Sequence, residues 1–563
     1  MSTKTSDNPT PRRNILKALT AAGIGSVVFQ KALAARAAEV GTVTAEMVHQ
    51  AEWIAGLDLN DEDRETAARS VAQSLEQFTA LREISLNYET PPALHFSVRE
   101  SDTNQEITII RNAQPMESAA AERPDNDALA FLPITELAAL LRTRQISSVE
   151  LTKLYLDRLH RYNEQLKCVV TFTDALALRQ AERADQEIGK GQYRGTLHGI
   201  PWGAKDLIAY PGYPTTWGAP QFQERQFKTK ATVAQRLDDA GAVLVAKLSL
   251  GALAWGDKWF GGMTRNPWNI AEGSSGSSAG SASATAAGLV GFSLGSETLG
   301  SIVSPCRRCG ITGLRPTFGR VSRYGCMPLA WSMDKIGPIC RSVEDCALVL
   351  DAIHGRDGMD KTVVNRSFHW PPRRNIRQLR VGYIPDDRPL ELRSELNMLQ
   401  SMGCQLVPIA LPTDLPNWAM TLILNTEAAS VFDDLIRHND LEGLNRWPGA
   451  LYQGTFTPAV EYLRANRLRT LLMEQMEHLM ESIDVYVEGN DLGITNLTGH
   501  PSVVIPNGFS EQDEVVKPKT VKFTGRLFGE SDLLAVAHSY QQATTFHLRH
   551  PKLEELAATP SES

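Results

Sequence analysis

GSSAGSASATAAGLVGFSLGSETLGSIVSP, the stretch from Gly276 to Pro305, consists largely of glycine, serine and alanine. It contains two turns of small residues, Ser277-Ser278 and Gly300-Ser301, and small residues let backbone N–H groups approach a bound oxygen closely. Lys205 stands 72 positions before Ser277 in the apolar context GIPWGAKD. A lysine buried in such a context can be neutral near pH 7 and can serve as the base that a serine hydroxyl needs. Two serines and a lysine therefore suffice for nucleophilic catalysis without a histidine.

The stretch resembles the signature of the amidase signature family, which reads roughly G-G-S-S-G-G-S, then an alanine-rich helix, then [TS]-[DE]-T-G-G-S-I-R-x-P. The two halves here are SGSSAGS, from Ser275 to Ser281, and SETLGSIVSP, from Ser296 to Pro305. The catalytic serines of that family are 24 positions apart, which matches Ser277 with Ser301 and excludes the two serines just before Gly276.

The resemblance extends well beyond this stretch, from about Leu129 to Lys552. Lys205 follows Pro201 at the spacing of the family's P-x-x-x-K-D motif. Four further segments look like segments of the family: RNPWN (265–269), GLRPTFGRVSRYG (313–325), SMDKIGP (332–338) and NLTGHPSVVIPNGF (496–509). The resemblance implies an α/β fold, a single large domain with a twisted mixed β-sheet wrapped by helices.

The resemblance also implies a role for each residue of the site. Ser301 would be the nucleophile, Ser277, which follows an unusual cis peptide bond in the family, would relay the proton, and Lys205 would be the base. The oxyanion hole would be made by backbone N–H groups, those of Thr298, Leu299, Gly300 and Ser301. Such a site hydrolyses an amide C–N bond through an acyl-enzyme and needs neither a metal nor a cofactor.

Three places depart from the family pattern, and one of them is Glu488-Gly489, where a Pro-Thr pair often follows the strand near Asp484. Leu299 replaces the first glycine of the pair before the nucleophile, and Val303 replaces the arginine two positions after it. The leucine changes the shape of the predicted oxyanion hole but keeps its backbone donor, because only proline removes that N–H group. The valine removes a cation, so we expect the local structure to be anchored in another way.

A second interpretation of the same stretch places the nucleophile at Ser278. GSSAG, from Gly276 to Gly280, also matches G-x-S-x-G, the nucleophile elbow of α/β-hydrolases. Asp484 and His500 follow it in the required order. An elbow needs a strand before it, however, and the preceding NPWNIAEGS is not expected to form one. The Ser-Ser-Lys interpretation is therefore favoured.

The composition is that of a soluble globular protein, with 42% hydrophobic and 22% charged residues. At 563 residues the chain can bury a large core, and its net charge of −8 argues against a nucleic-acid surface as its main function. Short apolar runs such as GIPWGA, AVLVAK and PSVVIP are typical of buried strands. The expected substrate is a small-molecule amide, and the resemblance implies a homodimer.

The first 38 residues resemble a twin-arginine export signal. PRRNILK, from Pro11 to Lys17, precedes an apolar run and the small-residue sequences ALA and ARA, so cleavage after Ala34 or Ala37 is expected. The run is too short and too rich in glycine and alanine to span a bilayer well. The mature protein would then work in the periplasm or beyond the membrane. The alternatives are an uncleaved anchor and a chance Arg-Arg pair.

Residues 39–127 are expected to form a helical extension, with apolar residues at three- and four-residue steps, followed by a polar, proline-containing connector. Residues 128–555 form the predicted catalytic domain. Two helices are expected between Leu132 and Asn163, the second beginning at the capping sequence ISSVEL.

Cys306 and Cys309 form CRRC just after Ser301, and the chain has 7 cysteines in all. The pair suits a redox site or half of a zinc site, but no two further ligands stand at a recognisable spacing. We therefore expect structural thiols, although an exported protein could oxidise the pair.

Three functions agree with these residues. The first is an exported amidase, a hydrolase that cleaves the C–N bond of a linear carboxylic or peptide-type amide. The second is the glutaminase subunit of a tRNA-dependent amidotransferase, which shares the signature; the export sequence argues against it because aminoacyl-tRNA is cytoplasmic. The third is a non-catalytic scaffold with the amidase fold, against which the intact Lys205, Ser277 and Ser301 argue.

Overall fold

The computed structural model describes residues 42–86, 90–94, 113–116, 123–389, 392–512 and 515–553. The twin-arginine sequence and most of the expected connector lie outside these ranges. The chain divides into two compact units, a smaller one of residues 1–94, 418–441 and 448–468 and a larger one of residues 95–417, 442–447 and 469–563. The boundaries at residues 38 and 127 that the sequence suggests stay predictions.

The strands of the larger unit build one large sheet and two short ribbons. In chain order they are β1 (Val169–Phe172), β2 (Pro201–Lys205), β3 (Val243–Leu248), β4 (Lys258–Trp259), β5 (Gly262–Met263), β6 (Arg265–Asn266), β7 (Asn269–Gly273), β8 (Phe292–Glu297), β9 (Thr312–Arg315), β10 (Lys335–Cys340), β11 (Arg380–Tyr383), β12 (Gln405–Pro408), β13 (Val485–Val487), β14 (Ser502–Gln512) and β15 (Val515–Gly525).

The large sheet has 11 strands in the order β1-β3-β2-β8-β10-β9-β14-β15-β13-β11-β12. β2 runs parallel to β3 and β8, and β11 runs parallel to β12 and β13. The other neighbours are antiparallel. The expected mixed sheet is therefore confirmed.

Helices wrap the sheet and make up most of the smaller unit. In chain order they are α1 (Ala45–Ala55), α2 (Asp61–Glu83), α3 (Asn126–Leu129), α4 (Ile134–Arg142), α5 (Ser148–Leu166), α6 (Asp174–Gly189), α7 (Thr232–Asp239), α8 (Ala279–Ala286), α9 (Val303–Cys309), α10 (Val343–Ile353), α11 (Ser394–Ser401), α12 (Asn417–Met420), α13 (Leu422–Val431), α14 (Asp433–Arg437), α15 (Trp447–Thr455), α16 (Ala459–Ser482), α17 (Leu492–Thr498) and α18 (Glu530–Thr544). Within the described ranges, no helix combines the length and the apolar character that crossing a membrane requires.

Local sequence signals place several of these elements. α5 begins with the expected capping box: the Ser147 hydroxyl accepts the Glu150 N–H at 3.0 Å, and the Glu150 carboxylate accepts the Ser147 N–H at 2.9 Å. In the smaller unit, Thr44 and Asn60 cap α1 and α2 with their side chains. The predicted N-terminal helices are thus confirmed where the structure describes them.

The apolar runs that predict strands form the centre of the sheet. Every residue of β2 and of β3 is buried, as expected for strands covered on both faces. Leu159 of α5, Val245 of β3 and Ala284 of α8 belong to one cluster of buried side chains. Full burial of a leucine or valine side chain contributes roughly 1.5–3 kcal/mol. Leu248 of this core pairs with Lys205, so the core holds the C-terminal end of β2 through β3.

α8 packs so closely at Gly280 that no larger residue fits there. A Cβ atom on Gly280 would lie 2.4 Å from the carbonyl oxygen of Cys168 and 2.5 Å from the backbone nitrogen of Ser249. Both contacts are backbone atoms, which cannot turn aside as a flexible side chain can. Because α8 directly follows Ser277 and Ser278, a shift of this helix would move both serines.

We expect Gly280→Ala to lower the free energy of unfolding by about 1–3 kcal/mol, because overpacking a close-packed helix costs that much. The measurement is the midpoint of unfolding in urea. Gly493→Ala is the matched control: Gly493 also lies in a helix, α17, and no atom lies within 4 Å of its added Cβ. Equal midpoints for the two variants would contradict the close approach of α8.

Candidate active site

Lys205 ends β2 and is completely buried. Its Nζ atom lies 2.8 Å from the Oγ of Ser277, 3.1 Å from the Oγ of Ser278 and 2.9 Å from the Oγ of Ser296. Ser296 belongs to β8, the parallel neighbour of β2, so both strands end at the same edge of the sheet. Burial lowers the pKa of Lys205 to about 7, although two nearby carboxylates oppose the shift. Near pH 7 the amine can therefore hold a lone pair that accepts a proton.

The next residue, Asp206, does not neutralise this lysine. It pairs instead with Lys247 at 2.6 Å, and both side chains are completely buried. The other carboxylate oxygen of Asp206 accepts the backbone N–H of Thr216 at 2.9 Å. Lys205 is consequently surrounded by hydroxyl groups rather than bonded to a carboxylate.

The two adjacent serines differ in their hydrogen bonds. Ser278 donates its hydroxyl proton to the Ser296 carbonyl at 3.1 Å and accepts the Ser296 N–H at 3.1 Å, in addition to its contact with Lys205. Its donor and both its lone pairs are therefore used. Ser277 is 1% exposed and follows a cis peptide bond from Gly276, as the resemblance implies. Within the described residues its hydroxyl has Lys205 as its partner, which leaves capacity for a second hydrogen bond.

Ser301 lies between β8 and α9 and is half-buried. The Ser278 N–H donates to the Ser301 carbonyl at 3.0 Å, which joins the two turns of the glycine- and serine-rich stretch. The structure thus brings the turn of Ser301 against the turn of Ser277, next to Lys205.

The backbone N–H groups before α9 and at its first residue fall into two sets. One carboxylate oxygen of Glu297 accepts the N–H of Ile302 at 2.8 Å and of Val303 at 2.9 Å. Four preceding N–H groups donate to no acceptor among the described residues, those of Thr298, Leu299, Gly300 and Ser301. Free N–H groups beside a serine hydroxyl are the donors that a developing oxyanion needs. The side chain of Leu299 is 36% exposed, so the leucine that replaces glycine lies at the surface.

A cation does lie near the turn of Ser301, that of Arg315. Its guanidinium lies 2.7 Å from Glu297, and both side chains are completely buried. Burial alone would raise the pKa of Glu297, but the charge of Arg315 and its hydrogen bond help to hold it at about 2. Arg315 also donates to the carbonyl of His500, just before β14, and to the hydroxyl of Ser502, the first residue of β14. A buried ion pair therefore anchors the turn of Ser301 to the sheet.

The elbow interpretation must be corrected in one respect. A strand does precede Gly276, because Asn269–Gly273 forms β7, which pairs with β6 in a two-stranded ribbon apart from the large sheet. The elbow nevertheless lacks its partners. The ring of His500 bonds to the hydroxyl of Thr498 at 2.7 Å, and Asp484 forms ion pairs with three arginines. Ser278 contacts neither of them.

Cys306 and Cys309 lie in α9 as buried, free thiols. They belong to a cluster of buried side chains that includes Ile302 and Val504. Burial raises the pKa of both thiols, which suppresses thiolate chemistry. Among the described residues, no group of three or more histidine, cysteine or acidic side chains is arranged to hold a metal ion. These surroundings are those of structural thiols.

A family model described as Amidase matches residues 150–488. The chain belongs to the amidase family. One curated relative, a glutamyl-tRNA(Gln) amidotransferase subunit of Coxiella burnetii, is 32% identical over 482 residues, which cover 75% of this chain and 99% of the relative.

Two solved structures extend the comparison. The peptide amidase of Stenotrophomonas maltophilia superposes with a TM-score of 0.65 at 29% identity, covering 75% of this chain and 98% of its own. The corresponding glutamyl-tRNA(Gln) amidotransferase subunit of Thermotoga maritima superposes with a TM-score of 0.60 at 25% identity, covering 74% and 95%. The expected amidase fold is confirmed, and the protein is a C–N hydrolase or amidotransferase of the amidase family.

Sequence reasoning missed two contributors to this amidase-family site. Ser296, which bonds to Lys205, stands at the [TS] position that opens the second half of the signature, so the motif did contain a signal for it. Arg315 lies in the family-like segment 313–325, but nothing in the sequence indicates its pairing with Glu297, because that pairing depends on the antiparallel packing of β9 and β8 around β10.

We expect Glu297→Ala and Arg315→Met to lower the free energy of unfolding by about 3–5 kcal/mol each, because each leaves a buried charge without its partner. The double variant should lose less than the sum of the two, with a coupling of about 0.5–3 kcal/mol. The measurement is urea unfolding of the three variants. Additive losses would show that the two side chains act independently.

Proposed function

We propose that this protein is an exported amidase that hydrolyses a carboxylic or peptide-type amide through Ser301, Ser277 and Lys205. The observation that carries the proposal is the buried Lys205 amine, 2.8 Å from the Ser277 hydroxyl, together with the four N–H groups from Thr298 to Ser301 that donate to no described residue. A base, a nucleophilic hydroxyl and oxyanion donors are the groups that acyl transfer needs.

The first step forms the acyl-enzyme. The Ser301 oxygen attacks the amide carbonyl while its proton passes to Ser277, whose own proton passes to the neutral Lys205 amine. The carbonyl oxygen gains a negative charge, which the backbone N–H groups from Thr298 to Ser301 stabilise; such donors contribute roughly 3–4 kcal/mol each. The C–N bond then breaks, and the proton on Lys205 returns through Ser277 to the leaving amine.

The second step releases the acid. Water enters the position of the departed amine and gives its proton to the same relay as its oxygen bonds to the acyl carbon. The tetrahedral intermediate collapses, the Ser301 oxygen leaves with a proton from Ser277, and Lys205 is again neutral. The relay therefore needs a lysine with a pKa near the working pH, and burial lowers that of Lys205 to about 7.

A fluorophosphonate probe tests this function most directly. The purified protein should form an adduct on Ser301, located by mass spectrometry of its peptides, and Lys205→Ala should slow the labelling strongly. An adduct on Ser278 would contradict the proposal and favour the nucleophile-elbow interpretation. Absence of any adduct would leave the non-catalytic scaffold as the better explanation.

Export is supported by the first 38 residues alone. We expect this segment, fused to a reporter that folds in the cytoplasm, to carry the reporter to the periplasm. Replacing both Arg12 and Arg13 by lysine should retain the reporter inside the cell, because the twin-arginine pair is the recognised feature. Lys17→Arg is the matched control and should leave export unchanged. Export of the double-lysine variant would contradict a twin-arginine route.

A glutaminase subunit is the second candidate, because the amidotransferase subunit from Coxiella burnetii matches over 99% of its own length. That function requires L-glutamine as the amide donor and partner subunits in the complex. Ammonia release from L-glutamine in preference to other primary amides, together with co-purification of other subunits, would favour it over an independent amidase.

A further inference from the structure

A cavity of about 380 Å³ opens beside the candidate active site, entirely within the larger unit. Ser296 and Thr298 line it, and Ser296 is the residue that bonds to Lys205 at 2.9 Å. The rest of its wall is mainly apolar and includes Leu207, Ala254, Met327, Pro328, Leu329 and Ile336. Cavities of roughly 300–1,000 Å³ bind small-molecule groups.

The entrance of the cavity is apolar as well. Tyr324, Trp331 and Met359 line the cavity and are 37%, 48% and 51% exposed, so they stand where it meets solvent. Large apolar side chains exposed together around a concavity mark a surface that binds an apolar partner.

Two charged side chains in the wall, those of Arg323 and Asp360, form an ion pair with each other. Arg323 donates to Asp360 at 2.9 Å and 3.3 Å, to the Thr362 hydroxyl at 2.8 Å and to the Trp331 carbonyl at 2.5 Å. These bonds occupy Nε and both terminal nitrogens of the guanidinium, and the side chains of Arg323 and Asp360 are 15% and 7% exposed. No charge is left over for a ligand at this pair.

The third charged side chain, Asp334, is also engaged by the protein. One carboxylate oxygen accepts the Thr298 hydroxyl at 2.5 Å. The other accepts the backbone N–H groups of Leu329 and Ala330 at 2.7 Å and 3.0 Å. Burial raises the pKa of this carboxyl, which further weakens its attraction for a cation. Among the described residues that line the cavity, every charged group thus has a partner in the protein.

We propose that this cavity holds the acyl group of the substrate, and that this group is uncharged and apolar, a branched aliphatic or aromatic chain. The inference rests on the proposed amidase function. A carboxylate in the acyl group would lose its water without gaining a cationic partner here, and an ammonium would meet only Asp334, whose oxygens already accept three hydrogen bonds. L-Glutamine carries both charges in its acyl portion and should therefore be a poor substrate.

The test uses three primary amides that share ammonia as the leaving group: 4-methylpentanamide, succinamate and L-glutamine. The first two have nearly the same shape, with an isopropyl group in place of a carboxylate. Each is measured in two ways on the full chain, by ammonia release and by protection of Ser301 from a fluorophosphonate probe. We expect 4-methylpentanamide to protect at about 100-fold lower concentration than succinamate.

Two variants examine the cavity directly. Met327→Lys adds a cation to the wall and should improve protection by succinamate about tenfold relative to 4-methylpentanamide. Leu392→Lys is the matched control, since Leu392 is 72% exposed and outside the cavity, and its preference should equal that of the unmodified protein. Asp360→Asn, which removes the partner of Arg323, provides a second route to the same gain if Met327→Lys does not fold.

The outcomes separate this inference from the function on which it rests. Labelling of Ser301 with equal or better protection by succinamate or L-glutamine would overturn the apolar acyl site and keep the amidase. Labelling that no compound prevents would also overturn it, because an acyl site must compete with the probe. Absence of labelling and of ammonia release would overturn the proposed function itself.

Discussion

Ser301→Ala is expected to lower kcat for amide hydrolysis by about 10⁶-fold, because the variant has no oxygen that can bond to the acyl carbon. The fold should remain, since Ser301 contributes its backbone carbonyl, which alanine keeps, to the hydrogen bond with Ser278. The measurement is kcat for the best substrate among the three primary amides, together with the circular dichroism spectrum.

Ser304→Ala is the control for this loss. Ser304 lies three residues further along, and Ser304→Ala removes a neighbouring hydroxyl while keeping the backbone N–H that donates to the Gly300 carbonyl at 2.7 Å. Its kcat should stay within a few-fold of that of the unmodified protein. Fluorophosphonate labelling that persists at another serine of the Ser301→Ala variant would contradict the assignment of the nucleophile.

Lys205→Met is expected to lower kcat by about 10⁴-fold and to change the pH dependence of kcat/KM. In the unmodified protein kcat/KM should rise with pH and level off above about 7, because only the neutral amine accepts a proton and its pKa is about 7. Any activity that the variant retains should lack this rise. Lys258→Met, at an exposed lysine, should keep it.

The same substitution, which lowers activity, should raise the free energy of unfolding at pH 7. The pKa of Lys205 is about 7 in the folded protein and 10.5 in its ordinary state, so between these pH values the unfolded chain binds more protons. The free energy of unfolding should therefore rise with pH in this window, and Lys205→Met should be the more stable protein at pH 7. A less stable Lys205→Met variant would show that the buried lysine is compensated by the hydroxyl groups around it.

The parts of this site that could be predicted are those that a short motif contains. The spacing of Ser277 and Ser301, the position of Lys205 and the buried strands beside it follow from local sequence. The short strand β7 could not be predicted, because NPWNIAEGS lacks strand periodicity and the strand exists through its pairing with β6. The Arg315 anchor also depends on tertiary packing, since it joins residues of different strands.

The ion pair in the wall of the cavity could not be predicted from the sequence either, because it too depends on tertiary packing. Arg323 and Asp360 are 37 residues apart, and no local pattern indicates that they pair. Read singly, Arg323 would suggest a site for an anionic ligand, whereas its hydrogen-bonding partners in the structure leave it no such role.

The parallel pairing of β2 and β8 has a consequence for folding. It brings together Lys205 and Ser296, which are 91 positions apart, at the shared end of the two strands. A slip of two residues along either strand would separate these groups by roughly 6–7 Å, since a strand rises about 3.3 Å per residue. Long-range parallel pairing is a slow event in folding. Recovery of enzyme activity during refolding should therefore lag behind recovery of helix content, and the lag measures how late this pair of strands finds its register.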